Sequence, residues 1–156
     1  MRSCFILLFL LVALGGCSNP IGASLNHPAP HLAASEVLEL QLAALRETDA
    51  SPRGLAQMYA FASPKSRAMV GSFEAFAALI EMHLPALVGH RSAVIEVLET
   101  YPSQVRFQVE VTSNRGEISY FEWVVEQRTS AECSSCWLNT YIHPMETPER
   151  AVTIEL

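Results

Sequence analysis

The chain has 156 residues, with ten Lys/Arg against sixteen Asp/Glu and a formal net charge of −6. That balance excludes nucleic acid as a partner, because phosphates demand clustered cations, and it excludes purely electrostatic adhesion to anionic lipid. The length suits one domain with a workable core, and the seven glycines form no phosphate loop, dinucleotide fingerprint or Gly-x-Ser-x-Gly elbow.

Met1-Arg2-Ser3 supplies one positive charge, and an unbroken apolar run from Phe5 to Leu14 follows. This is the layout of a secretory signal. The run is about half of the ~20 residues a membrane-spanning helix needs. It ends in Leu14-Gly15-Gly16-Cys17, which resembles the lipobox of bacterial lipoproteins. The resemblance implies a signal peptide over 1–16, cleavage before Cys17, and acylation of Cys17 (palmitate among the chains). A mature chain of 140 residues would keep nine Lys/Arg against all sixteen acids. Two or more acyl chains give stable anchoring where one does not. Ser18 after the cysteine implies the outer membrane, facing the periplasm, in a two-membrane cell. An ordinary cleaved signal is the alternative, but no Ala-x-Ala pattern lies near Cys17.

Residues 17–34 read as the lipidated cysteine and a flexible tether: three prolines, no charge, no sustained period. His27 and His31 have the spacing of a helical metal pair. Pro28 and Pro30 between them break that helix, so they read as solvated.

Three helices are expected next. Ser35 is an N-cap candidate, with Leu38, Leu42 and Leu45 on one face. Ser51-Pro52 opens a second helix with Leu55, Met58, Tyr59 and Ala62 in register. Ser63-Pro64 starts a short turn through Met69. Gly71-Ser72 then caps a third helix presenting Phe73, Phe76, Ala77 and Ile80, and Pro85 stops it.

From Arg91 the period becomes two. Residues 92–100 form a strand. Over 103–112, Val105, Phe107, Val109 and Val111 face one way and Gln104, Arg106, Gln108 and Glu110 the other. That is a strand buried on one side. Ser113-Asn114-Arg115-Gly116 suits a type I turn with a left-handed glycine. The loop predicts Val109 opposite Phe121, Phe107 opposite Trp123 and Val105 opposite Val125, since one step of slip would turn every side chain over. Residues 137–143 form a last strand. Helices followed by antiparallel strands predict an α+β domain over 35–144, helices on one face of a curved sheet, with 145–156 as a tail.

Gln41-Leu42-Ala43-Ala44-Leu45, Ala60-Phe61-Ala62-Ser63-Pro64, Phe73-Glu74-Ala75-Phe76, the Pro85-to-Ser92 segment and Trp137 resemble a bacterial and plant family of unknown function. That family falls within the nuclear-transport-factor-2-like, or ketosteroid-isomerase-like, cone superfamily. The resemblance implies a cone-shaped fold and says little of activity, because one cone hosts many. The chain departs from the family at 129–136, where Thr-Ser-Ala-Glu-Cys-Ser-Ser-Cys replaces a short hairpin turn.

Enzymes of the superfamily place an acidic base, often with Tyr or His, inside the cone. The single aspartate, Asp49, lies just before Ser51-Pro52 and reads as favouring a helix N-terminus. His83 sits at the edge of the third helix's apolar stripe and reads first as a hydrogen-bonded edge residue. Glu122, between Phe121 and Trp123, shares the outer face with Gln108 and Arg106 in the predicted register and reads as solvated. His90 and His143 have no evident partner. Cys133 and Cys136 read as a disulfide in an oxidising compartment. A redox pair and a zinc site are the rivals, disfavoured by the adjacent Glu132, the strand that follows and the lack of further ligands.

Two functions follow. One is a lipid-anchored, non-catalytic envelope module binding a small apolar ligand or a protein partner, without cofactor or metal. The other is a small hydrolase or isomerase using His83, Tyr59 and Glu122 inside the cone. Ile118, Tyr120 and Val124 form a mixed patch through which the sheet could homodimerise.

Overall fold

The computed structural model describes residues 25–48, 52–129 and 133–147. The signal segment, Cys17, Asp49, the Ser51 cap, Glu132 and the tail from 148 lie outside them. Four helices precede the sheet: α1 (Ala34–Arg46), α2 (Arg53–Ala60), α3 (Pro64–Val70) and α4 (Phe73–His83). A 3-10 turn at Pro85–Leu87 leads into β1 (Ser92–Tyr101), β2 (Gln104–Thr112), β3 (Ile118–Arg128) and β4 (Cys136–Met145). The strands pair in chain order, every pair antiparallel. The fold is α+β, with the helices packed on a curved, unclosed sheet.

Local chemistry accounts for most of the helix ends. α1 begins before Ser35, with Ala33 as its cap. The Glu36 carboxylate reaches back to accept from the Ala33 N–H at 2.7 Å, the arm of a capping box that holds the cap residue itself. The Ser63-Pro64 segment builds a full helix rather than a turn, so the described residues form four α-helices where three were expected. Ser63 Oγ accepts from Ser66 N at 3.1 Å, Pro64 takes the first helical position, and Gly71 at φ 86° ends it. Ser72 caps α4 through Ala75 N at 3.3 Å.

The β2–β3 register is the predicted one: Val105 opposite Val125, Phe107 opposite Trp123, Val109 opposite Phe121. Ser113 N donates to Glu117 O at 2.9 Å, and Gly116 holds φ 84°. The inner face of this hairpin packs on Leu38, Leu42 and Leu45 of α1, Leu55 and Met58 of α2, and Phe76 and Ile80 of α4. Phe107, Trp123 and Val125 are sealed there at 1% exposure or less. Each such side chain contributes about 1.5–3 kcal/mol of burial.

Two sequence readings change. Asn26, within the stretch read as tether, is held on α2: its N–H donates to Gln57 Oε1 at 2.8 Å and its carbonyl accepts from Gln57 Nε2 at 2.7 Å. Tyr120 and Val124 were expected to form an exposed patch with Ile118. Both are 7% exposed, and Ile118 alone stays open at 46%.

Candidate functional site: a polar groove on the outer sheet face

The link between α2 and α3 runs beside β4. Asn139 N donates to Phe61 O at 2.8 Å, and Ser63 N donates to Asn139 O at 2.9 Å. These bonds carry the chain past the edge of β4, so α3 stands over the outer face. Between α3 and β2–β4 opens a groove of about 740 Å³. Lys65, Ser66 and Met69 form its wall, and Arg106, Glu122, Val124 and Glu126 its floor. The floor is polar because β2 and β3 alternate, apolar inward and polar outward.

The floor charges neutralise one another. Arg106 bridges Glu99 at 2.6 Å and also contacts Glu122, while Arg128 pairs with Glu126. Gln104 Nε2 donates to Glu126 Oε1 at 2.8 Å. The Tyr101 hydroxyl donates to Glu99 at 2.9 Å. That bond first, and Arg106 second, hold the Glu99 carboxyl below its ordinary pKa; the same bond raises that of Tyr101. Glu99 and Glu122 together raise the Arg106 guanidinium. The open pair of Arg106 with Glu99 adds little stability. The effect of these contacts is to fix the donors and acceptors that line the groove. Lys65 makes no ion pair with a described residue.

Glu122 is not the solvated residue expected from the alternation; its side chain is 12% exposed, closed in by neighbours on both sides. Arg106 holds one oxygen, and His143 Nδ1 lies 3.5 Å from the other, with the Tyr141 ring 4.8 Å from the imidazole.

A family model described as a domain of unknown function, DUF4864, matches residues 30–142. The chain belongs to the DUF4864 family. No curated protein and no solved structure matches it. The DUF4864 span takes in all four helices and β1–β3, and runs into β4, stopping one residue short of His143.

Within the DUF4864 domain the three candidate polar residues do not meet. Tyr59 donates its hydroxyl to Gly71 O at 2.9 Å, and its ring contacts Phe73, Phe76 and the Arg67 guanidinium, clamping α2 to α3 and α4. His83 is exposed at the end of α4, beside a separate cavity of about 320 Å³. Glu122 faces the outer groove. The residue missed is His143. Its contact with Glu122 depends on the β3–β4 register, which shifts at a bulge between Val124 and Val125 that no sequence pattern marks. His90 also has a partner: its Nδ1 lies 2.8 Å from Leu87 O.

Cys133 and Cys136 sit at disulfide distance with Cα atoms 6.0 Å apart, in a tight turn where Ser135 takes φ 65°. Among the described residues no three His, Cys, Asp or Glu side chains are grouped to hold a metal ion.

Proposed function

We propose that this DUF4864 domain is a lipid-anchored module of the bacterial cell envelope that binds a polar ligand or protein segment on its outer sheet face and performs no chemistry. One observation carries the reading. The layer between helices and sheet is packed by large apolar side chains, whereas the roomiest cavity described opens outside it, over paired charges. The tight apolar packing between helices and sheet and the larger volume of the outer groove favour a ligand on the outer face.

Anchoring rests on the Leu14-Gly15-Gly16-Cys17 ending. With Asn26 held on α2, the chain from Cys17 to the domain reaches at most about 30 Å. The domain then stays close to the membrane, on the periplasmic side of the outer membrane where there are two. Membership of the nuclear-transport-factor-2-like cone superfamily is supported by helices preceding a curved antiparallel meander.

Two experiments test this. Cys17→Ser should abolish acyl labelling and free the protein from membranes; a variant still membrane-bound and normally cut overturns the anchor. Native mass spectrometry of the full chain from mild detergent should show an adduct that the Arg106→Ala, Glu126→Ala double variant loses. An adduct indifferent to those changes overturns the groove.

A hydrolase or isomerase is the second reading, favoured by the contact of Glu122 with His143. The Glu122 carboxylate lies 3.5 Å from His143 Nδ1, which is buried and has no hydrogen-bond partner among the described residues. That is close enough to orient the ring as a general base once the contact tightens on binding. His143→Ala would then abolish turnover while leaving adduct formation intact.

A further inference from the structure

β1 has β2 on one side and no strand on the other among the described residues. It is ten residues long, and every position from Glu96 to Tyr101 is exposed. Four large apolar side chains line it: Val94 at 61% exposure, Val97 at 54%, Leu98 at 39% and Tyr101 at 50%. Val97 pairs with Phe107, so it lies on the face that elsewhere carries the core. The helices do not reach that far. A long apolar edge with free N–H and C=O groups is a template for a further strand, and proteins that leave one open normally cover or guard it.

The charges on the strand select what covers it. Glu96 makes no ion pair with a described residue, and Glu99 is only partly offset by Arg106. Glu110, opposite Val94 on the next strand, extends the acidic strip. A second copy would bring the Glu96 and Glu99 of both chains to one edge. Like charges facing across strands are destabilising, and the chain's net charge of −6 adds to the repulsion. A strand alternating apolar residues with Lys or Arg reverses that sign on the outer face, beside Glu96 and Glu99, while its apolar side chains cover Val97 on the inner face.

We infer that β1 accepts an extended segment of another protein, alternating apolar and cationic residues, as a fifth strand of the sheet. Backbone hydrogen bonds supply affinity in such additions, and side chains supply selectivity. β1 contributes no residue to the lining of the outer groove but meets it through the Glu99–Arg106 pair, so Glu96, which makes no ion pair with a described residue, is the position that tests β1 apart from the groove.

The test uses the full chain in detergent and a labelled peptide of about eight residues alternating Val and Lys. Two twins accompany it, one with Glu for Lys and one N-methylated on alternate amides. The Val/Lys probe should bind and slow amide exchange across Val94–Tyr101. Both twins should bind at least about tenfold more weakly. Glu96→Lys should shift preference toward the Glu probe. Equal binding of the N-methylated twin reduces the effect to charge alone and overturns the proposal. So does absence of binding, unchanged β1 exchange, or a dimer of the chain itself that already protects β1.

Discussion

Gln41 of α1 and Asn139 of β4 exchange side-chain hydrogen bonds in both directions, although 98 positions separate them. Both are buried, at 0% and 5% exposure. Asn139 Oδ1 also accepts from Trp123 Nε1 at 3.0 Å, and Gln41 Nε2 also donates to Val37 O at 2.9 Å. With its backbone on Phe61 and Ser63, Asn139 joins α1, β3 and the link into α3. A buried polar network is favourable when complete and costly when halved.

Asn139→Ala should therefore leave Trp123 Nε1 and Gln41 Oε1 without partners in the core, with Gln41 Nε2 keeping only the Val37 carbonyl. The expected loss is about 3 kcal/mol, read from the urea midpoint. Pairing it with Gln41→Ala should reveal a coupling of about 1–2 kcal/mol in a double-mutant cycle. Strict additivity would mean the two side chains act independently.

Gly54 lets α2 approach α1. A Cβ there would stand 1.9 Å from Thr48 Oγ1 and 2.5 Å from the Ala44 carbonyl oxygen. Alanine favours a helix over glycine by about 1 kcal/mol, yet a backbone carbonyl cannot step aside. Gly54→Ala should lower the melting temperature, with a net cost of about 1–3 kcal/mol. A Thr48→Ala background should relieve only part of it, because the Ala44 contact persists. A stabilised Gly54→Ala protein would contradict this packing.

His90 is 3% exposed. Burial holds its pKa below the ordinary 6.5, aided by Arg46 and opposed by the bond to Leu87 O. The folded state thus prefers the neutral ring, and below about pH 6.5 the unfolded chain binds the extra proton. Its contribution is complete above that pH and is lost as pH falls through the lowered folded value. Urea midpoints should drop as pH falls below about 6.5, and less so in His90→Gln. Parallel slopes for both proteins would remove His90 as the cause.

Cys133 and Cys136 close a very short loop, for which chain entropy predicts a gain of at most about 2 kcal/mol. The double Cys→Ser variant should fold with a slightly lower melting point, and the intact mass of the parent should be two hydrogens light. Free thiols in the oxidised parent would reopen the redox reading.

The hairpin from Gln104 to Arg128 was readable because everything that sets it is local. Val105, Phe107, Val109 and Val111 alternate with polar residues, and Ser113 to Gly116 permit one turn geometry. The caps at Ser63 and Ser72 are of the same kind: a hydroxyl, a free N–H three residues on, and nothing distant. α3 was underestimated because seven residues carry too little periodicity to distinguish a helix from a turn.

Sequence by itself determined the α+β order, the buried stripe of α1 and the β2–β3 register, since apolar period and turn chemistry act over a few residues. It also carries the signal-like start and the Leu-Gly-Gly-Cys ending, which depend on no fold at all. Only the tertiary structure decided what the outer face holds. The bulge at Val124 sets His143 beside Glu122, and the pairing of Phe61 and Ser63 with Asn139 swings α3 over the sheet to make the groove. Those contacts join residues from separate strands and helices, and no local pattern encodes a register that a bulge between β3 and β4 and a distant hydrogen bond impose.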